Sequence, residues 1–238
     1  MTNIFAITET WLTNYIYNNE ILPSNFAIYR NDRESRGGGV LLAVDLSIPT
    51  KVISSLNDIE AIAVHLLTRN PIKLCVVYNP PNSGLLYQQK LLSFLSDFMQ
   101  SEGNVLILGD FNTPDINWST LTAESGFSFQ LCNLIFQHNF TQVITSPTHE
   151  HGNLLDLIIT NNEDIISDVQ IHNEGTLNIK SDHYPVSFNL KSFLLHHKPE
   201  HQPINILDYS KVDYDGLNEF LCNIDFSTCY QSEDIEFM

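Results

Sequence analysis

The sequence predicts a layered α/β domain over residues 1–191, followed by a linker and a helical tail. Short apolar runs rich in Val, Ile and Leu recur along this part of the chain, and two longer stretches between them have apolar residues at helical spacing. Strands interleaved with a few helices are typical of a layered α/β architecture. A chain of 238 residues that is 43% hydrophobic can bury a core of this size.

The predicted strands are short and almost continuously apolar, which is typical of strands covered on both faces of a sheet. They span residues 4–7, 26–29, 39–44, 59–66, 72–78, 105–108, 154–159 and 186–190. The segment RGGGV at residues 36–40 precedes one of these strands and lacks the spacing of a phosphate-binding loop. We interpret it as a tight turn in which bulky side chains would clash.

Two helices are predicted within the domain, at residues 85–100 and 125–139. In the first, an apolar stripe follows a turn that contains two prolines and a glycine. In the second, the apolar face is broader and consists of Phe129, Leu131, Cys132, Leu134, Ile135 and Phe136. Both stripes predict helices that pack on the strands.

Beyond the domain, residues 192–208 are predicted to form a linker and residues 209–238 a helical connector. The histidines of the linker could bind a metal ion, but no apolar frame holds them, and a solvated linker is the simpler interpretation. The helix is predicted over residues 209–226, with Asp213 as its cap. Its apolar face must pack back on the domain or bind a partner.

The charge balance bears on the choice of substrate. Eleven basic and 28 acidic residues give a formal net charge of −17. This sign disfavours tight binding to nucleic acid, because such binding depends on neutralising phosphate charges. Divalent cations bound at a carboxylate-rich cleft would offset part of the excess.

The sequence also bears on location. No apolar run is long enough to span a membrane, and the first residues lack the basic and apolar regions of a secretory signal. The four cysteines lie at spacings that no zinc ribbon uses, so free thiols in a reducing compartment are expected. We therefore expect a protein of the nucleus or cytoplasm that is not secreted and has no membrane partner.

Two short polar motifs carry residues that suit phosphodiester hydrolysis. GDFN at residues 109–112 closes a buried apolar run, and SDH at residues 181–183 comes much later in the chain. Asp110 can hold a water or a cation, Asn112 can orient the nucleophile, and His183 can contact the phosphate. Together the motifs favour metal-assisted attack of water on a phosphodiester.

Further polar residues end or interrupt the predicted strands. Glu9 could ligate a hard cation such as Mg²⁺ or Mn²⁺, although an ordinary polar strand end is the alternative. Tyr78 could donate a hydrogen bond to a phosphate oxygen, or simply pack at its strand end. Asp156 is costly in a buried strand unless it is paired, so either His183 or backbone donors must hold it. Asp182 could complete the metal side or the leaving-group side of the site.

These motifs resemble the endonuclease/exonuclease/phosphatase superfamily, which includes apurinic/apyrimidinic endonucleases and DNase-I-like nucleases. Within it, the likeness points to the endonuclease domain of LINE-type non-LTR retrotransposons. It covers essentially residues 1–191 and rests on six motifs in the family's order. They are ETWL at 9–12, RGGGV at 36–40, YNPP at 78–81, GDFN at 109–112, LLDLIIT at 154–160 and SDH at 181–183.

The resemblance implies a DNase-I-like fold, a four-layer α/β sandwich in which two mixed β-sheets pack face to face with helices outside. The implied cofactor is Mg²⁺ or Mn²⁺, with Glu9 as a metal ligand and Asp182 as a second metal-site residue beside the histidine. Residues 209–238 look like the connector that precedes a reverse transcriptase in such elements.

The resemblance also implies catalytic roles for five residues. Asp110 would activate water, and Asn112 would orient it. Asp156 would position His183, and Tyr78 would contact the phosphate.

One departure from the family pattern lies at the N-terminus. The family has an earlier strand that carries a metal-site Asn, well before the glutamate of ETWL, whereas eight residues precede Glu9 here. We therefore expect the first strand to be missing, with unpaired backbone groups and an exposed apolar edge beside residues 4–9.

The predicted function is a divalent-metal-dependent DNA endonuclease that nicks DNA and leaves a 3′ hydroxyl for target-primed reverse transcription. Its partners would be the DNA substrate and a reverse transcriptase domain outside this chain. Two alternatives stay open. One is a phosphoesterase of the same fold acting on inositol phosphates or lipids, and the other is a catalytically inactive remnant that acts as a binding module.

Overall fold

The computed structural model describes residues 3–55, 58–124, 126–172, 181–191 and 213–224. The chain divides into two units, Met1–His197 and Lys198–Met238. The sheets and the core belong to the first unit. The predicted linker, residues 192–208, lies outside the described residues.

Strands are the commonest regular elements in the described part of the first unit. They are β1 (Ile4–Thr8), β2 (Phe26–Asn31), β3 (Val40–Asp45), β4 (Thr50–Ser55), β5 (Glu60–Leu66), β6 (Ile72–Tyr78), β7 (Asn104–Asp110), β8 (Thr141–Gln142), β9 (Asp156–Thr160), β10 (Ile166–Ile171) and β11 (Val186–Leu190). The helices of this unit are α1 (Asn18–Ile21), α2 (Leu85–Met99) and α3 (Gly126–Gln137), and a 3-10 turn spans Glu163–Ile165. The second unit contains α4 (Tyr214–Cys222).

The largest sheet has six strands in the order β4-β5-β6-β7-β9-β8. Strands β6 and β7 run parallel, and the other neighbouring pairs are antiparallel. A parallel pair needs a long crossover connection, which helix α2 supplies. The sheet is therefore mixed, with its parallel pair at the centre.

Both faces of the six-stranded sheet are buried, which explains the continuous apolar runs in the sequence. One face packs on α2 and α3. The other packs on a second layer that contains the three-stranded sheet β1-β3-β2 and the two-stranded sheet β10-β11. Strand β7 serves both sides, because Ile107 faces the helices and Leu106 faces the second layer.

The mixed six-stranded sheet, with α2 and α3 on one face and the second layer on the other, confirms the predicted α/β sandwich. The sheets of the second layer are antiparallel and not mixed. The second layer differs from a single sheet, because in the described residues β10 and β11 pair only with each other. Strand β1 lies at the end of its sheet and pairs with β3 on one side, and no strand in the described ranges pairs with its other side.

Some elements differ from the sequence-based expectation. Strands β4, β8 and β10 are absent from the predicted set because they are short or mix polar with apolar residues. The prediction that Phe129 and Phe136 lie on the packed face of α3 is wrong, since these side chains are 54% and 75% exposed. The predicted Leu131, Cys132 and Ile135 are buried, and Phe127 joins them on this face.

Helix α4 is shorter than the predicted 209–226 segment, part of which lies outside the described residues. Its N-terminus is capped by Asp213, whose Oδ1 accepts a hydrogen bond from the Gly216 N–H at 2.9 Å. Its apolar side chains are exposed. Across the described ranges, no helix combines the length and the apolar character that crossing a bilayer requires.

Gly109 allows the central parallel pair to close beside the candidate site. Its φ is +142°, and a Cβ placed there would lie 1.8 Å from the carbonyl oxygen of Val77 on β6. No side chain fits such an approach, so β7 can come this close to β6 only with glycine at this position.

We expect Gly109→Ala to lower the free energy of unfolding by about 3 kcal/mol or more, because it combines backbone strain with a clash against β6. Gly103→Ala is the matched control. Gly103 also has a positive φ, +87°, but no atom lies within 4 Å of the position that a Cβ would take there. That control should lose only about 1–2 kcal/mol. Urea denaturation measures both, and equal losses would contradict the role given to the contact with Val77.

Candidate active site

The candidate site lies where strands of the six-stranded sheet meet at one edge. Strand β6 ends at Tyr78 and β7 ends at Asp110, and these two residues are register partners. Strand β9 runs antiparallel to β7, so its first residue, Asp156, is paired with Asp110. Register partners project from the same face of a sheet. Tyr78 packs in the core on the side of the second layer, so all three side chains emerge on that side.

The loop after β7 holds the Asp110 carboxylate in place. Oδ1 accepts a hydrogen bond from the Asn112 backbone N–H at 3.0 Å, and Oδ2 accepts one from Asn112 Nδ2 at 2.9 Å. Asn112 Nδ2 also donates to the carbonyl oxygen of Asn79 at 3.0 Å. A positive φ of +48° at Asn112 turns its amide back toward Asp110. Asn112 therefore positions Asp110, and its Oδ1 is the amide atom that can face a nucleophile.

His183 is oriented by Asp156. Asp156 Oδ2 lies 2.8 Å from His183 Nδ1, so the ring donates through Nδ1 and directs Nε2 into the site. Nε2 lies 4.0 Å from Asp110 Oδ2. The structure thus brings together two residues that are far apart in the sequence.

This pairing favours the charged form of the imidazole. The hydrogen bond to Asp156 raises the pKa of His183 to about 9, and the nearby charges of Asp156, Asp110 and Asp182 act in the same direction against partial burial. A protonated His183 presents an N–H⁺ donor to a group that binds beside both His183 and Asp110.

The Asp110 carboxyl is shifted in the direction that suits a base. Burial raises the pKa of Asp110 to about 7, and the charges of Asp156 and Glu9 add to this effect, while His183 and the Asn112 N–H oppose it. Its side chain is 2% exposed. Between about pH 7 and 9 the site therefore holds an ionised Asp110 opposite a protonated His183.

Tyr78 and Glu9 meet at the same place. The Tyr78 hydroxyl donates a hydrogen bond to Glu9 Oε1. Burial and this hydrogen bond raise the pKa of Tyr78, so the phenol stays protonated and can act as a donor. Arg33 lies over the Tyr78 ring, with its Cζ 5.8 Å from the ring centroid, and is paired with the buried Glu60.

Sequence reasoning missed Thr148, which fixes two parts of the site. Its hydroxyl oxygen accepts hydrogen bonds from the backbone N–H groups of Leu155 at 3.1 Å and Asp156 at 3.0 Å. Its carbonyl oxygen accepts one from the N–H of Tyr184 at 2.7 Å. The side chain is fully buried. A polar residue before the LLDLIIT motif gives no signal of this role, because the role depends on a loop that folds back.

His149 was also missed, and it packs directly on the catalytic candidate. Its ring lies edge-on to that of His183, with centroids 4.9 Å apart, and its Nε2 lies 3.5 Å from Asp182 Oδ2. The His151 backbone N–H donates to His149 Nδ1 at 3.1 Å, so the neutral ring carries its proton on Nε2. His149 therefore donates toward Asp182, and coordination of a metal by Nε2 would break this arrangement.

A family model matches the part of the chain that contains most of this site. The model, described as endonuclease-reverse transcriptase, matches residues 72–187, which include Tyr78, Asp110, Asp156 and His183. The match covers just under half of the chain, which over these residues is similar to that family. The resemblance inferred from the sequence motifs is confirmed.

Solved structures of this superfamily share the fold at low sequence identity. The endonuclease domain of TRAS1, a telomere-specific non-LTR retrotransposon, is 16% identical with a TM-score of 0.61, covering 79% of this chain and 85% of that one. The 3′-5′ exonuclease NExo from Neisseria meningitidis is 17% identical with a TM-score of 0.61, covering 79% and 89%. An AP endonuclease from Archaeoglobus fulgidus is 16% identical with a TM-score of 0.57, again covering 79% and 89%. A search of proteins with curated functions finds no significant match.

The residues of the candidate site fit a divalent cation. In the described residues, the ligand atoms of Asp110, Asp156 and His183 lie within 4.8 Å of one another. Those of His149, Asp182 and His183 do so as well, but this second group would hold a cation only if the contact between His149 and Asp182 were broken. Burial first and then the charge of Asp156 raise the pKa of Asp110, and a bound cation would favour the ionised form of this carboxyl. Glu9 belongs to neither group, although its charge acts on Asp110 and its carboxylate contacts Tyr78.

All seven residues predicted from the sequence thus have a place around this site. Asp110, Asn112, Asp156 and His183 form one connected set. Tyr78 and Glu9 form a pair beside Asp110, and Asp182 lies on the far side of His183, next to His149. Their chemical roles stay predictions.

In the metal-free protein, we expect the His183 imidazole to titrate at about pH 9. Because this pKa lies above the unfolded value of 6.5, the protonated ring stabilises the fold below that value, and the contribution is lost as the pH rises through about 9. Asp156→Asn removes the carboxylate and should move the pKa of His183 down. Side-chain ¹⁵N NMR measures both.

Asp58→Asn is the control for this titration, because Asp58 is exposed and paired with Lys90. It should leave the His183 titration unchanged. A wild-type midpoint near 6.5, or the same midpoint in Asp156→Asn, would show that Asp156 does not set the charge of the ring.

Proposed function

We propose that this chain is a divalent-metal-dependent DNA endonuclease that hydrolyses a phosphodiester bond and leaves a 3′ hydroxyl end. The observation that carries the proposal is the juxtaposition of the buried Asp110 with His183, whose Nε2 lies 4.0 Å from the carboxylate. A base and a positively charged donor at this distance can flank a phosphate and the water that attacks it.

The charge states of Asp110 and His183 determine the roles proposed for them. Ionised Asp110, held by Asn112, takes a proton from the attacking water as the water oxygen bonds to phosphorus. The bond between phosphorus and the 3′ oxygen breaks, and the departing 3′ oxygen takes a proton from a solvent water, which gives a 3′ hydroxyl and a 5′ phosphate. Protonated His183 donates to a phosphate oxygen on which negative charge develops, and Asp156 keeps the ring in place. The protonated Tyr78 phenol is a second donor on the side of Glu9.

The proposed cofactor is Mg²⁺ or Mn²⁺, because the acidic ligands around Asp110 are hard oxygen donors. Glu9, Asp110 and Asp182 are the residues proposed to hold it. When bound, the cation supplies charge neutralisation at the phosphate. It would also offset part of the acidic excess that opposes approach of a polyanion.

DNA is the proposed substrate because of how two structures of similar fold are described. The NExo 3′ phosphatase is described as bound to a product DNA hairpin, and the TRAS1 domain is described as the endonuclease domain of a telomere-specific non-LTR retrotransposon. The family description also names a reverse transcriptase. We extend the proposal to nicking for target-primed reverse transcription, with a reverse transcriptase as partner.

The direct test is nicking of supercoiled plasmid in Mg²⁺ and in EDTA. Activity should require the cation and fall about 10²- to 10⁴-fold in Asp110→Asn and in His183→Ala, since each removes a group that handles a proton or charge in the transition state. Asp58→Asn, an exposed carboxylate outside the site, should nick at the wild-type rate.

Nicking that persists in EDTA, or that is equal in wild type and Asp110→Asn, would refute the proposal. The same proteins should be assayed on inositol phosphates. Cation-dependent release of phosphate from these, without nicking, would assign the site to small phosphoesters instead of DNA.

A further inference from the structure

We propose that Trp11 and Arg36 form a binding subsite for an unpaired nucleobase of the DNA strand, beside the candidate active site. The inference rests on the proposed function and deepens it, because it specifies the state of the DNA that the site accepts. It concerns the parts of the ETWL and RGGGV motifs to which the catalytic proposal gives no role.

The position of Trp11 links it to the catalytic residues. The indole Nε1 donates to Glu9 Oε2 at 3.5 Å, and Glu9 Oε1 accepts from the Tyr78 hydroxyl. The indole is therefore separated by one side chain from the phenol that is proposed to contact the phosphate. A base stacked on this ring would belong to a nucleotide adjacent to the one being cut.

The loop geometry holds the indole outward. The Trp11 backbone N–H donates to the Gly38 carbonyl oxygen at 2.9 Å, which ties the loop after β1 to the glycine turn before β3. Trp11 has a φ of +55°, which is uncommon for a bulky residue. A Cβ on Gly37 would lie 3.8 Å from the indole, so the turn passes directly beside the ring. The result is an aromatic side chain that is 54% exposed at the rim of the site.

Arg36 adds a cationic plane to this surface. Its Cζ lies 5.5 Å from the centroid of the Trp11 ring. The other two arginines of this region pair with carboxylates, Arg30 with Asp32 and Arg33 with Glu60. Across the described ranges no carboxylate forms an ion pair with Arg36, although acidic residues greatly outnumber basic ones in this chain. Its guanidinium is therefore available beside an aromatic face.

This combination matches the chemistry of an unpaired base. Nucleobases stack on aromatic rings and on guanidinium planes in proteins that bind single strands, and the contact is tolerant of sequence. A paired base inside a duplex cannot offer its face to Trp11. The subsite therefore favours DNA that is unpaired or unstacked next to the scissile phosphate.

The test uses the fluorescence of Trp11 in the full chain. The chain has two tryptophans, so Trp118→Phe leaves Trp11 as the only emitter. An Asp110→Asn substitution in the same protein prevents turnover during titration with a short oligothymidylate in Mg²⁺. We expect the strand to quench the emission. Variants at Trp11 have no tryptophan in this background, so all affinities are compared by the fluorescence anisotropy of a dye-labelled oligothymidylate. By that measure we expect Trp11→Ala to weaken binding about 5- to 150-fold, the range that loss of one stacked base produces.

Tyr15→Ala is the matched control, since Tyr15 is an aromatic residue that is 83% exposed and lies outside the proposed subsite. It should bind like the parent protein. Trp11→Phe should retain most of the affinity, because phenylalanine still stacks. Arg36→Lys keeps the charge and loses the planar group, so it should bind more weakly than the parent.

A strand containing abasic nucleotides separates stacking from a structural effect. If Trp11 stacks on a base, its removal costs little on an abasic strand, and the two losses are not additive. The proposal is overturned if Trp11→Ala binds within about twofold of the parent, if its loss is the same on both strands, or if Arg36→Lys binds like the parent. Failure of plasmid nicking with retained quenching would instead refute the nuclease function and leave the nucleobase subsite standing.

Discussion

The parallel pairing of β6 and β7 is the constraint on which the rest of the site depends. It exists because α2 provides the crossover and because Gly109 lets the two backbones approach beside Val77. The pairing sets Tyr78 next to Asp110, and the antiparallel β9 then adds Asp156 on the other side of Asp110. The sheet is buried on both faces, and these three polar side chains project from it at a single edge.

The charged groups at this edge shift one another's pKa values. Asp110 is buried among carboxylates, which favours its neutral form, and His183 is bound by one of those carboxylates, which favours its charged form. The two groups also act on each other, because His183 holds the pKa of Asp110 down and Asp110 holds the pKa of His183 up. The arrangement is an acid–base pair poised around neutral pH, with room for the charge of a cation.

The sequence was informative wherever apolar periodicity and local motifs carried the signal. Continuous apolar runs predicted β3, β5, β6 and β7, and the stripe behind the proline turn predicted α2. Short strands such as β8 gave no such signal, and the exposed Phe129 and Phe136 misled the assignment of the packed face of α3. In the site, residue types at strand ends pointed to Asp110 and His183. Thr148 and His149 could not be found this way, because their partners are set by how one loop folds on another.

Backbone hydrogen bonds join the loop at 148–153 to the segment at 181–184, in addition to the side-chain contacts of His149 with Asp182 and His183. Tyr184 N–H donates to the Thr148 carbonyl, and Glu150 N–H donates to the Asp182 carbonyl at 2.9 Å. The side chains of Glu150 and His151 take no part in these links. Glu150 and His151 can therefore diversify in sequence during evolution while His183 keeps its position, so the surface around the site can change its recognition properties independently of its chemistry.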